Sequence, residues 1–396
     1  MVPRRLSSFV ALTCALAICG AAQADTVIGP LAAGTPVRAW GGIALLSIRE
    51  AGGYRLATQQ GTEAPHALPG IAPSAHPFDA DIGPGPTGAA VIVFSRCPHG
   101  TDCRLMRTTP AGGTEAPITG SVGANGFEYA PAAWGTRLAF ARRFSNGSTH
   151  VYVRPLDAGT RVRSVRMPDV PRPACLFSEG CYAKRVHPII TELALRGMTL
   201  AEQIDLGLVE NDELCDRTEV RIIDIAHRRS RSVAHTHCGL AGSTLLGVSL
   251  TAVHLLYARV CPGDPEGCSA HNTNLYRYGL RDHRLEAASQ RDLLVSIDAE
   301  DDNHVVEVTA PEVEPVSDCT NHPPQTQPPC ELVRTGPIGF VPVVERARLN
   351  RALDRETEEL FNTNNPLAAG RHASHLPASP GAAHGDFSRS RPSGGA

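Results

Sequence analysis

Three stretches of this chain can be laid on one another: Ala39-Trp40-Gly41-Gly42-Ile43-Ala44-Leu45-Leu46-Ser47-Ile48-Arg49, Thr87-Gly88-Ala89-Ala90-Val91-Ile92-Val93-Phe94-Ser95-Arg96 and Ala133-Trp134-Gly135-Thr136-Arg137-Leu138-Ala139-Phe140-Ala141-Arg142-Arg143. Gly41, Gly88 and Gly135 are 47 positions apart in turn, and so are Arg49, Arg96 and Arg143. Val253-His254-Leu255-Leu256-Tyr257-Ala258-Arg259 is a fourth copy. Each is an apolar run of strand length behind a turn. A second short run follows each copy or its counterpart: Tyr54-Arg55-Leu56, Arg104-Leu105-Met106-Arg107, Val151-Tyr152-Val153-Arg154, Val220-Arg221-Ile222-Ile223, Leu275-Tyr276-Arg277-Tyr278 and Leu332-Val333-Arg334. The unit is therefore a β-hairpin with flanking strands, and it recurs at roughly 45 to 60 residues, the spacing of a four-stranded propeller blade. The expected fold is all-β, a β-propeller of six four-stranded blades over residues 25–344, with a β-sandwich as the alternative. Thr199-Leu200-Ala201-Glu202-Gln203 and His304-Val305-Val306-Glu307-Val308 are degenerate copies in the fourth and sixth blades. A ring must not leave a strand edge unpaired, and Thr26-Val27-Ile28-Gly29 is the candidate to complete the last blade.

Two of these blades carry more than a strand pattern. Asp79-Ala80-Asp81-Ile82-Gly83-Pro84-Gly85-Pro86-Thr87-Gly88 leads into the strand ending Phe94-Ser95-Arg96, and Ala130-Pro131-Ala132-Ala133-Trp134-Gly135 leads into Leu138-Ala139-Phe140-Ala141-Arg142. These resemble the repeats of TolB-type propellers, exported bacterial relatives of the WD-repeat propellers. The resemblance spans two blades and implies the propeller fold. The companion amino-terminal domain of the TolB translocation protein has no counterpart here, because the repeats begin almost at the mature terminus, so the translocation role is not carried over.

Arg4 and Arg5, the apolar run Phe9 to Cys19 and the small-x-small Ala22-Gln23-Ala24 read as a signal peptide over residues 1–24, cleaved after Ala24. The run is too short to cross a bilayer, which takes about 20 residues. Leu16-Ala17-Ile18-Cys19 resembles a lipoprotein acceptor, but isoleucine is a poor fit before the cysteine. Export to the periplasm or beyond follows. A formal net charge of −3, with the basic residues interleaved among acids, gives no clustered cations for nucleic acid. Glu345 to Phe361, with Leu349, Leu353 and Leu360 at helical spacing, is expected to form a short helix, and residues 362–396, rich in Gly, Pro, Ala and Ser, a disordered tail.

Cys14 and Cys19 leave with the signal peptide, and the ten cysteines that remain suit an exported, disulfide-bonded chain. The blade pattern suggests local pairs: Cys97 with Cys103, Cys261 with Cys268 and Cys319 with Cys330 at hairpin necks, Cys175 with Cys181 within a loop, and Cys215 with Cys238 across two strands. Structural zinc favours two residues between paired cysteines, a spacing these pairs lack. His235-Thr236-His237-Cys238 could ligate a metal but is better read as exposed histidines at a strand end. Asp298-Ala299-Glu300-Asp301-Asp302-Asn303-His304 lacks the glycine and distal glutamate of a calcium loop and is read as an acidic turn. Trp40 and Trp134 are read as repeat core, with a carbohydrate platform as the alternative.

No nucleophile elbow, zincin helix or phosphate loop is present, and no cofactor is expected. The functional expectation is a non-catalytic, monomeric binding propeller for a protein, peptide or envelope glycan. The alternative is a secreted hydrolase or lyase with its site at the central channel. His and Asp/Glu side chains converging at the channel mouth would favour the enzyme, and small apolar residues there the binding protein.

Overall fold

The computed structural model describes residues 25–343, except 32–34, 98–102, 119–125, 158–162, 166–187, 207, 211–212, 216–217, 237–243, 261–272, 291–292 and 311–329. The expected signal peptide, the helix over 345–361 and the tail therefore lie outside the described residues, as do Cys175, Cys181, Cys238, Cys261, Cys268 and Cys319.

Six antiparallel sheets follow one another along the chain. Blade 1 is Arg38–Trp40, Ile43–Glu50, Gly53–Gln60 and His66–Ala67, and blade 2 is Ala80–Pro84, Ala90–Arg96, Arg104–Thr108 and Ala116–Pro117. Blade 3 is Gly126–Trp134, Arg137–Phe144, Thr149–Pro155 and Arg163–Val165, and blade 4 is Ile189–Arg196, Thr199–Asp205, Thr218–Asp224 and Arg229–His235. Blade 5 is Thr244–Leu250, His254–Val260, Thr273–Gly279 and Leu285–Gln290, and blade 6 begins with Leu293–Ala299, Val305–Ala310 and Cys330–Arg334. The first strand of each blade touches the first strand of the next, and that of blade 6 touches that of blade 1, so the first strands surround an axis. The fold is the six-bladed propeller expected from the repeat. All six partner runs are third strands, and both degenerate copies fall on second strands.

The core explains why second strands such as Ile43–Glu50, Ala90–Arg96 and Thr199–Asp205 have runs of consecutive buried residues, and so are buried on both faces. Six clusters of buried side chains fill the six seams, one per pair of neighbouring blades. Between blades 1 and 2, for example, Leu45, Leu56 and Leu68 meet Phe78, Ile92 and Phe94. Each leucine or phenylalanine so buried contributes about 1.5–3 kcal/mol. A blade alone would expose two such faces, so the blades are stable only in the ring.

Thr26–Leu31 supplies the outer strand of blade 6, pairing antiparallel with Cys330–Arg334. The first residues described thus complete a sheet whose other strands come last. The chain then crosses back: Val341–Pro342 adds a fifth strand to the outer edge of blade 5. On the way, Ile338 donates to the Asn303 carbonyl at 2.8 Å, and the Phe340 ring lies 4.4 Å beneath the Arg277 guanidinium.

Gly83, on the first strand of blade 2, has no room for a side chain, because a Cβ there would collide with the Ala133 carbonyl of blade 3. Gly83→Ala is therefore expected to push this seam apart and cost about 1–3 kcal/mol. A thermal melt reads the result, and an unchanged midpoint would refute the tight seam.

Candidate functional site

The first strands of blades 3 to 6 slip register at the same place, between Tyr129 and Ala132, Ile190 and Glu192, Leu246 and Ser249, and Leu294 and Ser296. Such a bulge re-aims the side chains that follow it. Left-handed backbone accompanies two of them, at Ala130 (φ 46°) and Gly247 (φ 68°). A backbone N–H freed near the axis needs an acceptor, and every seam provides one from a side chain of the preceding blade. Phe78 N donates to Ser47 Oγ (2.8 Å), Ala130 N to Asp79 Oδ2 (2.5 Å), and Ala133 N to Asp81 Oδ2 (2.7 Å). Ile190 N donates to the Tyr129 hydroxyl (3.3 Å), Leu245 N to Thr218 Oγ1 (3.0 Å), and Ala299 N to Ser249 Oγ (3.0 Å). Across the closing seam, Val37 N donates to Ser296 Oγ (2.9 Å) and Ala39 N to Asp298 Oδ2 (2.6 Å).

Charged side chains cluster among these near-axial groups. Arg38 of blade 1 pairs with Glu192 of blade 4, and its Nε lies 4.0 Å from Asp81 Oδ1 of blade 2. Its field also reaches Asp298 of blade 6. Side-chain exposure is only 11% for Arg38, 12% for Glu192 and 14% for Asp81, so the cluster interacts at low effective dielectric. Burial pulls the Arg38 guanidinium down, but Glu192, Asp298 and Asp81 together raise it above its ordinary value. Burial pushes Asp81 and Glu192 up to about 7, with Arg38 opposing, and raises Asp79 and Asp298 as well.

This has a consequence for stability. Asp81 and Glu192 hold their protons to a higher pH folded than unfolded, so between about pH 4 and pH 7 the folded chain binds more protons. Stability is then greatest at the acid end of that window and falls as the pH rises through it. Melting temperatures are expected to drop between pH 5.5 and pH 8 by the equivalent of about 2–4 kcal/mol. In the Asp81→Asn, Glu192→Gln variant the drop should shrink; an equal slope in both proteins would show that other groups dominate.

The mouth above this cluster is formed where the first strands end. Trp40, Trp134 and Arg196 each stand immediately before a tight-turn glycine, Gly41, Gly135 and Gly197, with φ near +60° in all three. Together with Ile82, Leu195 and Leu250, and with the polar Asp81, Ser249, Asp298 and Glu300, they line a cavity of ≈ 50 Å³. The Arg196 guanidinium lies 4.4 Å over the Trp134 ring, and its NH1 makes a long 3.4 Å bond to the Leu250 carbonyl. Glu300, on the rim, pairs with Arg334 at 2.8 Å.

A histidine and an aspartate do meet in the turns beyond these strands: His254 Nδ1 is 2.9 Å from Asp302 Oδ1. Thr251 Oγ1 donates to the same carboxylate oxygen and accepts the His254 N–H at 3.0 Å. In a nucleophilic triad the imidazole sits between hydroxyl and carboxylate. Here the carboxylate sits between the other two, which is the arrangement of a turn clasp.

Among the residues singled out in the sequence, Cys97 and Cys103 are joined by a disulfide between the second and third strands of blade 2, and Cys330 is disulfide-bonded too. Cys215 lies on a small hairpin inserted in blade 4, Leu208–Glu210 with Glu213–Cys215. His235 is an exposed residue at the end of a strand. Trp40 and Trp134 are half-buried: each packs on a seam cluster and also lines the mouth. Of the acidic stretch 298–304, Glu300 to His304 form the expected turn between the strands Leu293–Ala299 and Val305–Ala310, with the Glu300 and Asp301 N–H groups donating to the His304 carbonyl, and Asp298 stands on the strand before it. Asp298 belongs to the channel, Glu300 to Arg334, Asp301 to His304 and Asp302 to His254. Arg38, Glu192 and Arg196 escaped sequence reasoning. The available signal was a charged side chain beside a small or apolar one at the equivalent place in four of the six repeats: Arg38-Ala39, Asp81-Ile82, Glu192-Leu193 and Asp298-Ala299.

No family profile and no curated protein matches this sequence. Several solved structures are similar in fold. TolB from Acinetobacter baumannii is 12% identical with a TM-score of 0.42, over 75% of this chain and 65% of that one. Oligogalacturonate lyase from Vibrio parahaemolyticus is 9% identical with a TM-score of 0.44, over 74% and 76%. An α-L-arabinofuranosidase from Fusarium graminearum is 8% identical with a TM-score of 0.44, over 81% and 98%. By its own strand order the chain is a six-bladed β-propeller, and these structures are what it is similar to.

Proposed function

We propose that the chain is an exported, non-catalytic binding propeller that docks a protein or peptide partner on the rim around Trp40, Trp134 and Arg196. One observation carries this reading: the polar groups under the mouth are already engaged. Asp79, Asp81 and Asp298 each hold a backbone N–H of the next blade, and Glu192 holds Arg38. The ≈ 50 Å³ left above them takes a few waters, not a sugar ring between two carboxylates with room for a hydrolytic water. Export is supported by the Arg4-Arg5, Phe9–Cys19 and Ala22–Ala24 pattern and by the Cys97–Cys103 disulfide, which suits an oxidising compartment.

The enzyme reading has its own support, since Asp81 and Glu192 titrate near neutrality, as general acids and bases do. One pair of assays separates the two. Affinity capture from an envelope extract is expected to enrich a protein that the Trp40→Ala variant loses. Turnover of a glycoside, peptide or uronate substrate that disappears in Glu192→Gln would replace the binding reading with the catalytic one.

A further inference from the structure

The outer strands of five blades offer little to a further strand. Those of blades 1 to 3, His66–Ala67, Ala116–Pro117 and Arg163–Val165, are only two or three residues long. Blade 5 has Val341–Pro342 added to its edge. In blade 6 the strand Thr26–Leu31 is interrupted by a register shift and carries Pro30, which has no N–H to donate. Blade 4 differs. Its outer strand, Arg229–His235, runs for seven residues with neither glycine nor proline, and no strand pairs with its outer edge among the described residues. The one register shift lies beyond Ser232, so Arg229 to Ser232 pair in regular step with Arg221 to Asp224. All four residues of this stretch are exposed. Alternate residues of such an edge aim their N–H and C=O groups away from the sheet, and an added strand needs that row of groups.

The same edge is basic. Arg228, Arg229 and Arg231 are exposed, and none of them is ion-paired among the described residues. Asp224, opposite Arg229 in register, is held by His227 at 2.6 Å instead. Arg229 and Arg231, two positions apart on a strand, project from one face. The Arg231 guanidinium lies 5.5 Å over the Tyr278 ring of blade 5, a stacking that leaves the N–H donors at its rim free for a carboxylate. A second copy of this chain is a poor occupant, because pairing edge to edge would set these arginines against their own copies. An anionic glycan would meet the guanidinium groups but not the row of backbone donors and acceptors. An extended polypeptide with Asp or Glu at alternate positions satisfies both.

We propose that the blade 4 edge at Arg229–Ser232 accepts an acidic, extended segment of a partner protein as an added strand, its carboxylates facing Arg229 and Arg231. This surface is distinct from the rim around Trp40, Trp134 and Arg196, and the proposal does not depend on that rim binding anything.

The test is fluorescence anisotropy of the full chain with the fluorescein-labelled peptide Thr-Glu-Val-Glu-Val-Thr as its carboxamide. Binding is expected, and a peptide with glutamine for both glutamates should bind about 3- to 30-fold more weakly, the range for two cross-strand charge pairs. In Arg229→Gln, Arg231→Gln, checked for an unchanged circular dichroism melt, that preference should vanish; a preference that survives places the peptide elsewhere and overturns the proposal. Backbone N-methylation at the two glutamates removes donors from one edge of the peptide, and at the two valines from the other. Only one of these should abolish binding by the unaltered protein, a comparison that stands even if the variant misfolds. An equal effect of the two N-methylated peptides would reduce the arginines to a charged patch and refute the added strand. No anisotropy change up to millimolar peptide would refute it as well, leaving the arginines as charges that keep the edge unpaired. Binding of dextran sulfate in place of the peptide would assign them to an anionic glycan and overturn it too.

Discussion

Deletion of residues 25–31 is expected to abolish the folded monomer. Thr26–Leu31 is the outer strand of blade 6, paired with Cys330–Arg334 from Thr26↔Arg334 to Leu31↔Cys330 with one register shift between Val27 and Gly29. Without it, the Cys330–Arg334 strand becomes an open edge, the kind that recruits other chains. The seam between blades 6 and 1 also loses Leu31 from a cluster with Val37, Leu46, Val306 and Leu332, and Gly336 N loses its 2.8 Å bond to Asp25 Oδ1. Several hydrogen bonds and a buried leucine together exceed about 5 kcal/mol, comparable to the whole stability of many domains. Size exclusion should show aggregate, and a synthetic peptide of residues 25–34 added during refolding should recover monomer. A truncated protein that elutes as a monomer with an unchanged melt would show that closure lies elsewhere.

The second large effect is expected from Arg38→Met. Arg38 is the cation among Asp81, Glu192 and Asp298 near the axis, and removing one partner of a buried ionic cluster leaves uncompensated charge, costing about 3–5 kcal/mol. The loss should depend on pH. Without the guanidinium the carboxylates keep their protons to still higher pH, so the penalty shrinks on acidification and the melts of variant and parent should converge towards pH 5. A constant difference from pH 5 to pH 8 would mean that Arg38 contributes through packing alone.

The repeat itself was legible because strand runs and turns are local. Three glycines at one spacing and six short runs next to arginine located the third strand of every blade, and the need to pair an edge pointed to Thr26–Gly29. The axial chemistry was hidden for the opposite reason. Arg38, Asp81, Glu192 and Asp298 stand far apart in sequence and meet only once six sheets are arranged about an axis. Asp298 was absorbed into an acidic run because its neighbours Glu300, Asp301 and Asp302 are acids; the end of the strand at Ala299 separates it from them and turns it towards Ala39. Trp40 and Trp134 were placed correctly as equivalents, but a propeller's first strand ends at the mouth, so a residue there packs on a seam and faces the cavity at once.

The way Val341–Pro342 and Thr26–Leu31 flank the last blade bears on how quickly the chain can fold. The pairing of Thr26 with Arg334 spans nearly the whole described length, so its contact order is high and its loop-closure entropy must be met before any contact rewards it. Blades 1 to 5 can form from neighbouring hairpins as they emerge, whereas blade 6 waits for both ends of the ring. Its assembly is expected to set the observed folding rate, leaving an open five-blade arc as the species most exposed to aggregation.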